Sequence, residues 1–158
     1  MSKLTKKQNG VAAIEFVLLL PLLLLIGWVS VDFGRLIFQY DALTKTTRDA
    51  TRYLAAVTRP PNTPDSESYK NYVSTAETST KNLALCGSIS NCTNTVVPEL
   101  KLGNIAIDYS NNGEGIYFVK VSIINYKVKF ITNQIAQLIG IKEVNLNDIS
   151  VTMRQIQQ

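Results

Sequence analysis

Cys86, Cys92 and Glu15, together with the complete absence of histidine, set most of the chemistry open to this chain. The two thiols have five residues between them. That is not the C-x-x-C of a redox centre, and two thiols without imidazole make a poor metal site. In an oxidising compartment their natural product is a structural disulfide, worth about 2 kcal/mol for so short a loop in the chain-entropy account. Glu15 is a lone carboxylate inside an apolar run, a costly placement that by default carries a function. Without histidine there is no Ser-His-Asp or Cys-His catalysis, no His general base and no His-bearing zinc site. Glu99, Asp108, Glu114, Glu143 and Asp148 are scattered, with no spacing that pairs them on a helix face. Gly113-Glu114-Gly115 reads as a turn rather than a phosphate loop, and no nucleophile–base pair is recognisable. The chain is expected to be no enzyme and to have no catalytic residue, cofactor or metal.

Composition bounds the scaffold that holds these residues. At 158 residues the chain holds one average domain, with 46% hydrophobic and 18% charged residues. The formal charge of +4 comes largely from Lys3, Lys6 and Lys7 in a leader without acids. The remainder is nearly balanced, which argues against nucleic acid as a partner, since that needs a clustered basic face. Lys120, Lys127 and Lys129 read as a solvated sheet face rather than a basic strip.

From Val11 to Val31 the sequence reads VAAIEFVLLLPLLLLIGWVSV, with Glu15 as its one charge. At 1.5 Å per residue this spans about 30 Å, the thickness of a bilayer's hydrocarbon core. The basic residues precede the span, while Asp32 and Arg35 nearly cancel after it, so the N-terminus is expected in the cytoplasm and the rest of the chain outside. A secretory signal peptide would need a small-residue cleavage pattern, and the region after the run offers none.

A short basic leader ending at Gly10, with a glutamate at the fifth position after it, resembles the type III signal of the type IV pilin superfamily. That resemblance implies a prepilin peptidase cutting between Gly10 and Val11 and leaving the apolar helix on the mature protein. The new α-amino group would then lie near the carboxylate of Glu15 on a neighbouring subunit, which would set the register between helices. The longer stretch from Gly10 to Ala55 resembles TadE-like pseudopilins of the tight-adherence (Flp, type IVb) pilus system. The features that carry it are Glu15-Phe16, Pro21 within the leucine run, Phe33-Gly34-Arg35, and the ending around Arg48, Asp49, Ala50 and Arg52. Asp49 and Thr51 make that ending more polar than is usual in the family. The Asn82-Leu83-Ala84 run before a glycine is a further, short likeness.

Read without the family, apolar residues after Asp32 recur at Phe33, Leu36, Ile37, Tyr40, Leu43, Thr47, Ala50 and Leu54, the spacing of one helical face. Neither Gly nor Pro interrupts between Arg35 and Arg59, and Pro60-Pro61 stops the helix. Val11 to Val57 is therefore predicted as one helix of about 70 Å. Pro21 is tolerated in a membrane and is expected to kink it. Asp32 with Arg35, and Arg48 or Asp49 with Arg52, have the spacing to pair on the exposed side of the stem.

Downstream, Arg59 to Ser66 has the composition of a loop. Tyr69, Tyr72, Val73, Ala76, Thr80, Leu83 and Ala84 predict a second helix that Gly87 ends. Residues 104–109 alternate, Asn111-Asn112-Gly113 is a turn signal, and Ile116 to Val128 reads as a long strand whose phase slips at Ile123-Ile124, as a bulge would cause. Phe130 to Gly140 has helical spacing, and Val144 to Met153 reads as a last strand with a second slip near Asn147-Asp148.

The expected fold is α+β: a long transmembrane and stem helix packed on a small periplasmic head with a second helix and a three-stranded antiparallel sheet. The expected divisions are a cytoplasmic leader 1–10, a transmembrane helix 11–31, a periplasmic amphipathic extension 32–57 and a periplasmic head 58–158. The resemblance implies a minor pseudopilin acting in assembly of the adhesive pilus. It implies as partners a prepilin peptidase, a companion TadF-like pseudopilin, the Flp major pilin, the inner-membrane assembly platform and membrane lipid. The location would be the bacterial inner membrane, single-pass, with the head periplasmic and extracellular after any incorporation into the pilus. The alternative is an uncleaved bitopic anchor holding a ligand-binding or sensory head.

Overall fold

The computed structural model describes residues 8–57, 67–90, 92–112, 116–129 and 143–155 of the chain. Its elements are helix α1 (Gln8–Val57), helix α2 (Glu67–Cys86), the short 3-10 turn η1 (Leu102–Asn104), and strands β1 (Ile105–Asn111), β2 (Tyr117–Ile123), β3 (Lys127–Val128), β4 (Val144–Asn145) and β5 (Ile149–Arg154). The expected α+β arrangement of a long apolar helix, a second helix and a three-stranded antiparallel sheet is what forms. The loop expected from Arg59 and the helix expected from Phe130 lie outside the described residues.

The chain divides into two compact units, residues 1–37 with 129–142, and residues 38–128 with 143–158. In the first, α1 is exposed at every residue from Gly10 to Val31. Its first buried side chain is Asp32, 7% exposed. In the second unit one core gathers Leu43, Ala50 and Leu54 of α1, Ala76 and Ala84 of α2, Val97 and Leu100 of the following loop, and Ile105, Val119, Val121, Ile123 and Ile149 of the sheet. Full burial of side chains such as Leu54 or Val121 stabilises by about 1.5–3 kcal/mol each.

The helices meet this core with small and hydroxylated side chains. Thr47, Thr51 and Thr80 are fully buried. Each donates its hydroxyl to the carbonyl four residues back, Thr47 to Leu43 at 2.7 Å, Thr51 to Thr47 at 2.6 Å and Thr80 to Ala76 at 2.7 Å. The hydroxyl is thereby satisfied within its own helix, so its burial carries no desolvation debt and leaves the methyl for packing.

On α1 the predicted face is correct from Leu43 onward and is corrected upstream. Phe33, Ile37 and Tyr40 are exposed, whereas Gln39 is buried. The line that reaches Leu43 on a helix passes through the residue four positions back, Gln39, and then through Leu36 and Asp32. Hydrophobicity alone selects the larger apolar neighbours on the wrong side of that line.

α2 ends as expected at Gly87, whose φ of +71° is the left-handed conformation that a C-terminal glycine supplies. Its N–H donates to Leu83 O at 2.9 Å. β1, β2 and β5 form the sheet in the order β1-β2-β5, both pairings antiparallel, while β3 and β4 pair separately. The inner face carries Ile105, Val119, Val121 and Ile149, and α2 lies over β1, where Tyr109 Oη donates to Glu77 Oε1 at 3.0 Å.

The two phase slips are not bulges. Ile123 pairs with Ile149 in the first sheet and Lys127 with Asn145 in the second. Three residues intervene on each strand, so the register is the same on both sides of the break and no extra residue is inserted. The slips at Ile123-Ile124 and at Asn147-Asp148 are one feature, a paired interruption of a two-stranded ribbon. Asn125 supplies the turn with φ of 54°, a conformation Asn tolerates better than most residues.

Asn104, expected as the start of a strand, instead closes η1 and holds this interruption. Its side-chain Nδ2 donates to the carbonyls of Ile124 at 3.0 Å and Asn125 at 3.2 Å, and its Oδ1 accepts from Lys101 N–H at 3.1 Å. Tyr126, only 4% exposed, directs its hydroxyl to Pro98 O at 2.9 Å. The Gln39 amide oxygen lies 3.5 Å from the same hydroxyl.

Candidate functional site

The residues singled out from sequence fall on α1 and at the end of α2. Gly10 and Val11 are helical, within the first turn of α1. Gly10 has no positive φ, and a Cβ placed on it meets nothing within 4 Å. Glycine in a helix costs about 1 kcal/mol relative to alanine, and no contact among the described residues calls for glycine there.

Glu15 and Phe16 are exposed on the same helix, Phe16 at 59%. Glu15 lies four residues, about 6 Å, beyond Val11. α1 continues unbroken through Pro21. The proline lacks the N–H that would reach the Val17 carbonyl, a loss normally repaired by neighbouring groups in a membrane. Ser30, the one hydroxyl in the apolar run, donates to Ile26 O at 2.8 Å and so presents no unsatisfied donor.

The most apolar stretch of α1 reaches a mean hydropathy of 2.5 with none of it buried, so this helix is long and apolar enough to cross a membrane by length and composition. A soluble core helix of that character would be covered by its own protein.

The charged residues expected on the outside of the stem divide. Arg35, Arg48, Asp49 and Arg52 are exposed, whereas Asp32 is buried, a correction to its expected surface position. Among the described residues Lys127 pairs with Glu143 at 2.9 Å, and no ion pair within 4 Å joins Asp49 to Arg52. Exposed pairs at helical spacing are worth only a few tenths of a kcal/mol, which ordering two long side chains readily cancels. The pairing of Lys127 with Glu143 also removes it from any basic strip with Lys120.

Cys86 and Cys92 are joined in a disulfide, with Cα atoms 5.3 Å apart. It ties the last residue of α2 to the loop beyond Gly87, and the backbone bond from Val96 N–H to Leu85 O at 2.9 Å continues the same closure. The bridge therefore fixes where the segment carrying Val97, Pro98 and Leu100 enters the core.

Sequence reasoning passed over Gln39 and read Asn104 and Tyr126 only as strand residues, without their hydrogen bonds. A glutamine four residues before a core leucine, an Asn at a strand entry and a tyrosine between two short β runs were the available signals, each too common to single out.

Residues 10–52 match the family model of TadE-like proteins. No curated protein and no solved structure matches the chain. The match ends on α1 at Arg52, and the rest of α1, α2 and the strands lie outside it.

Proposed function

We propose, from the match of residues 10–52 to the family model of TadE-like proteins, that the chain is a minor pseudopilin acting in assembly of the Tad/Flp adhesive pilus. In this reading a prepilin peptidase cuts between Gly10 and Val11 on the cytoplasmic side. Val11–Val31 anchors the mature protein in the inner membrane, and the fold built on residues 38–128 and 143–158 stands on the periplasmic side. Its partners are the peptidase, a companion TadF-like pseudopilin, the Flp pilin and the inner-membrane assembly platform, with lipid around the helix before assembly.

The observation that carries the reading is that the family match, residues 10–52, includes the stretch of α1 from Gly10 to Val31 in which every residue is exposed. A glycine that no contact among the described residues requires, and a carboxylate four residues beyond the proposed new amine, support it. In a membrane that carboxylate is stabilised by an opposite charge, which the freed α-amino group of an adjacent subunit supplies.

The test is N-terminal sequencing and intact mass of membrane-extracted protein, from cells with and without the candidate peptidase. A start at Val11 that requires the peptidase is expected. A start at Met1 or Ser2 gives the uncleaved bitopic anchor instead, and a start beyond Val31 overturns both.

A further inference from the structure

The exposed apolar surface of α1 does not end where the uninterrupted apolar sequence ends. Phe33 is 61% exposed, Ile37 52%, Phe38 72% and Tyr40 49%, comparable with Leu22 at 55% and Trp28 at 57% inside the span. The other side of these same turns is covered, with Asp32 and Gln39 each 7% exposed. Beyond Tyr40 the outward positions turn polar, with Asp41, Lys45, Arg48, Asp49 and Arg52 all exposed.

The length of this surface identifies what covers it. Val11 to Val31 rises only about the thickness of the hydrocarbon core, 30 Å, whereas Val11 to Tyr40 rises about 44 Å, the bilayer with both headgroup regions, which sets Val11 in the inner headgroup region and Tyr40 in the outer one. The residue types agree. Three of the four added side chains are aromatic, and Tyr40 with Arg35 brings the amphipathic groups that settle at a membrane–water boundary. In water the same cluster would be a costly apolar patch.

We infer that residues 33–40 of α1 lie in the outer headgroup–acyl boundary, with lipid against Phe33, Ile37, Phe38 and Tyr40. Gln39 and Leu43, on the other side of the same helix, are buried, so only the outward side of these turns is open to lipid. The inference depends on α1 being a membrane anchor, as proposed above, and moves the lipid-facing surface nine residues past Val31.

The chain has one tryptophan, Trp28, which makes fluorescence quenching the direct test. The full chain is reconstituted in vesicles of phosphatidylethanolamine and phosphatidylglycerol as wild type, as Trp28→Phe with Phe38→Trp, and as Trp28→Phe with Tyr72→Trp. Each is quenched with phospholipids brominated near the headgroup or near the bilayer centre, and with aqueous acrylamide. Expected is a loss of about half the emission of the F38W probe with headgroup-proximal bromine, little with central bromine, and weaker acrylamide quenching than the Y72W probe.

Acrylamide quenching of F38W equal to that of Y72W, with no effect of brominated lipid, overturns the inference. Shielding from both quenchers overturns it too, because protein then covers this face. Lipid quenching of Trp28 in the wild type separates these failures from failure of the anchor itself. Phe33→Trp in the same background gives the same reading should F38W unfold.

Discussion

Asn104 and Ile124 are bonded to one another twice, by Ile124 N–H to Asn104 O at 2.8 Å and by Asn104 Nδ2 to Ile124 O at 3.0 Å. The first bond continues the β1–β2 ladder by one step, and the second replaces the ladder with a side chain at the point where β2 stops. The interruption of the ribbon is thus held from the β1 side, by a residue that precedes β1.

Replacing Asn104 separates these two roles. Asn104→Ala keeps the backbone bond and loses the side-chain donors, at a cost of about 1–2 kcal/mol. Asn104→Asp is expected to cost more, since it sets a carboxylate oxygen against the carbonyls of Ile124 and Asn125. Thermal unfolding of the detergent-solubilised chain, followed by circular dichroism, ranks them; equal losses would show that the side chain donates nothing of consequence.

Two positions are held in left-handed backbone, Gly87 at φ +71° and Asn125 at φ 54°. A Cβ on Gly87 would meet Val96 Cγ2 at 3.6 Å, an ordinary contact, so the penalty of Gly87→Ala is conformational, about 1–2 kcal/mol. Asn125→Gly is expected to be close to neutral, and Asn125→Val to cost as much as the Gly87 change or more. A stable Asn125→Val protein would contradict the assigned turn.

The Cys86–Cys92 bridge should leave no thiol to alkylate in protein isolated from its membrane under denaturing, non-reducing conditions. Reduction, or Cys86→Ser with Cys92→Ser, is expected to lower stability by about 2 kcal/mol without unfolding the sheet. Both thiols reacting in freshly extracted protein would refute the bridge.

Core and anchor should respond differently to the same truncation. Leu54 is fully buried and Leu24 is 55% exposed. Leu54→Ala is expected to cost about 2–5 kcal/mol of folding stability, while Leu24→Ala leaves the melting of the folded unit unchanged. The same loss from both would mean that α1 is packed along its whole length by its own protein.

For Glu15 the proposed role is between subunits. Glu15→Ala is expected to insert and to be cleaved normally but to co-purify with its companion pilus subunits at a clearly reduced yield, with Glu15→Asp intermediate. Unchanged co-assembly of the alanine variant would remove the carboxylate from the mechanism.

Features with local signals could be read directly from the order of residues. The apolar run from Val11, the helix continuing to Val57, the glycine stop at Gly87, the cysteine pair and the alternating β segments are all properties of neighbours a few residues apart. The family likeness lay in the same stretch, in Glu15-Phe16, Pro21 and Phe33-Gly34-Arg35.

Which side of α1 turns inward above Asp32 is set by packing and is not written in the local pattern. Gln39 and Tyr40 are adjacent around the helix, and the choice depends on Tyr126, 87 residues away in sequence, whose hydroxyl lies 3.5 Å from the Gln39 amide oxygen. The same holds for the two phase slips. Each strand alone reads as having a bulge, and only their pairing, Ile123 with Ile149 and Lys127 with Asn145, shows equal interruptions facing one another, because register is a property of two strands and is absent from either one.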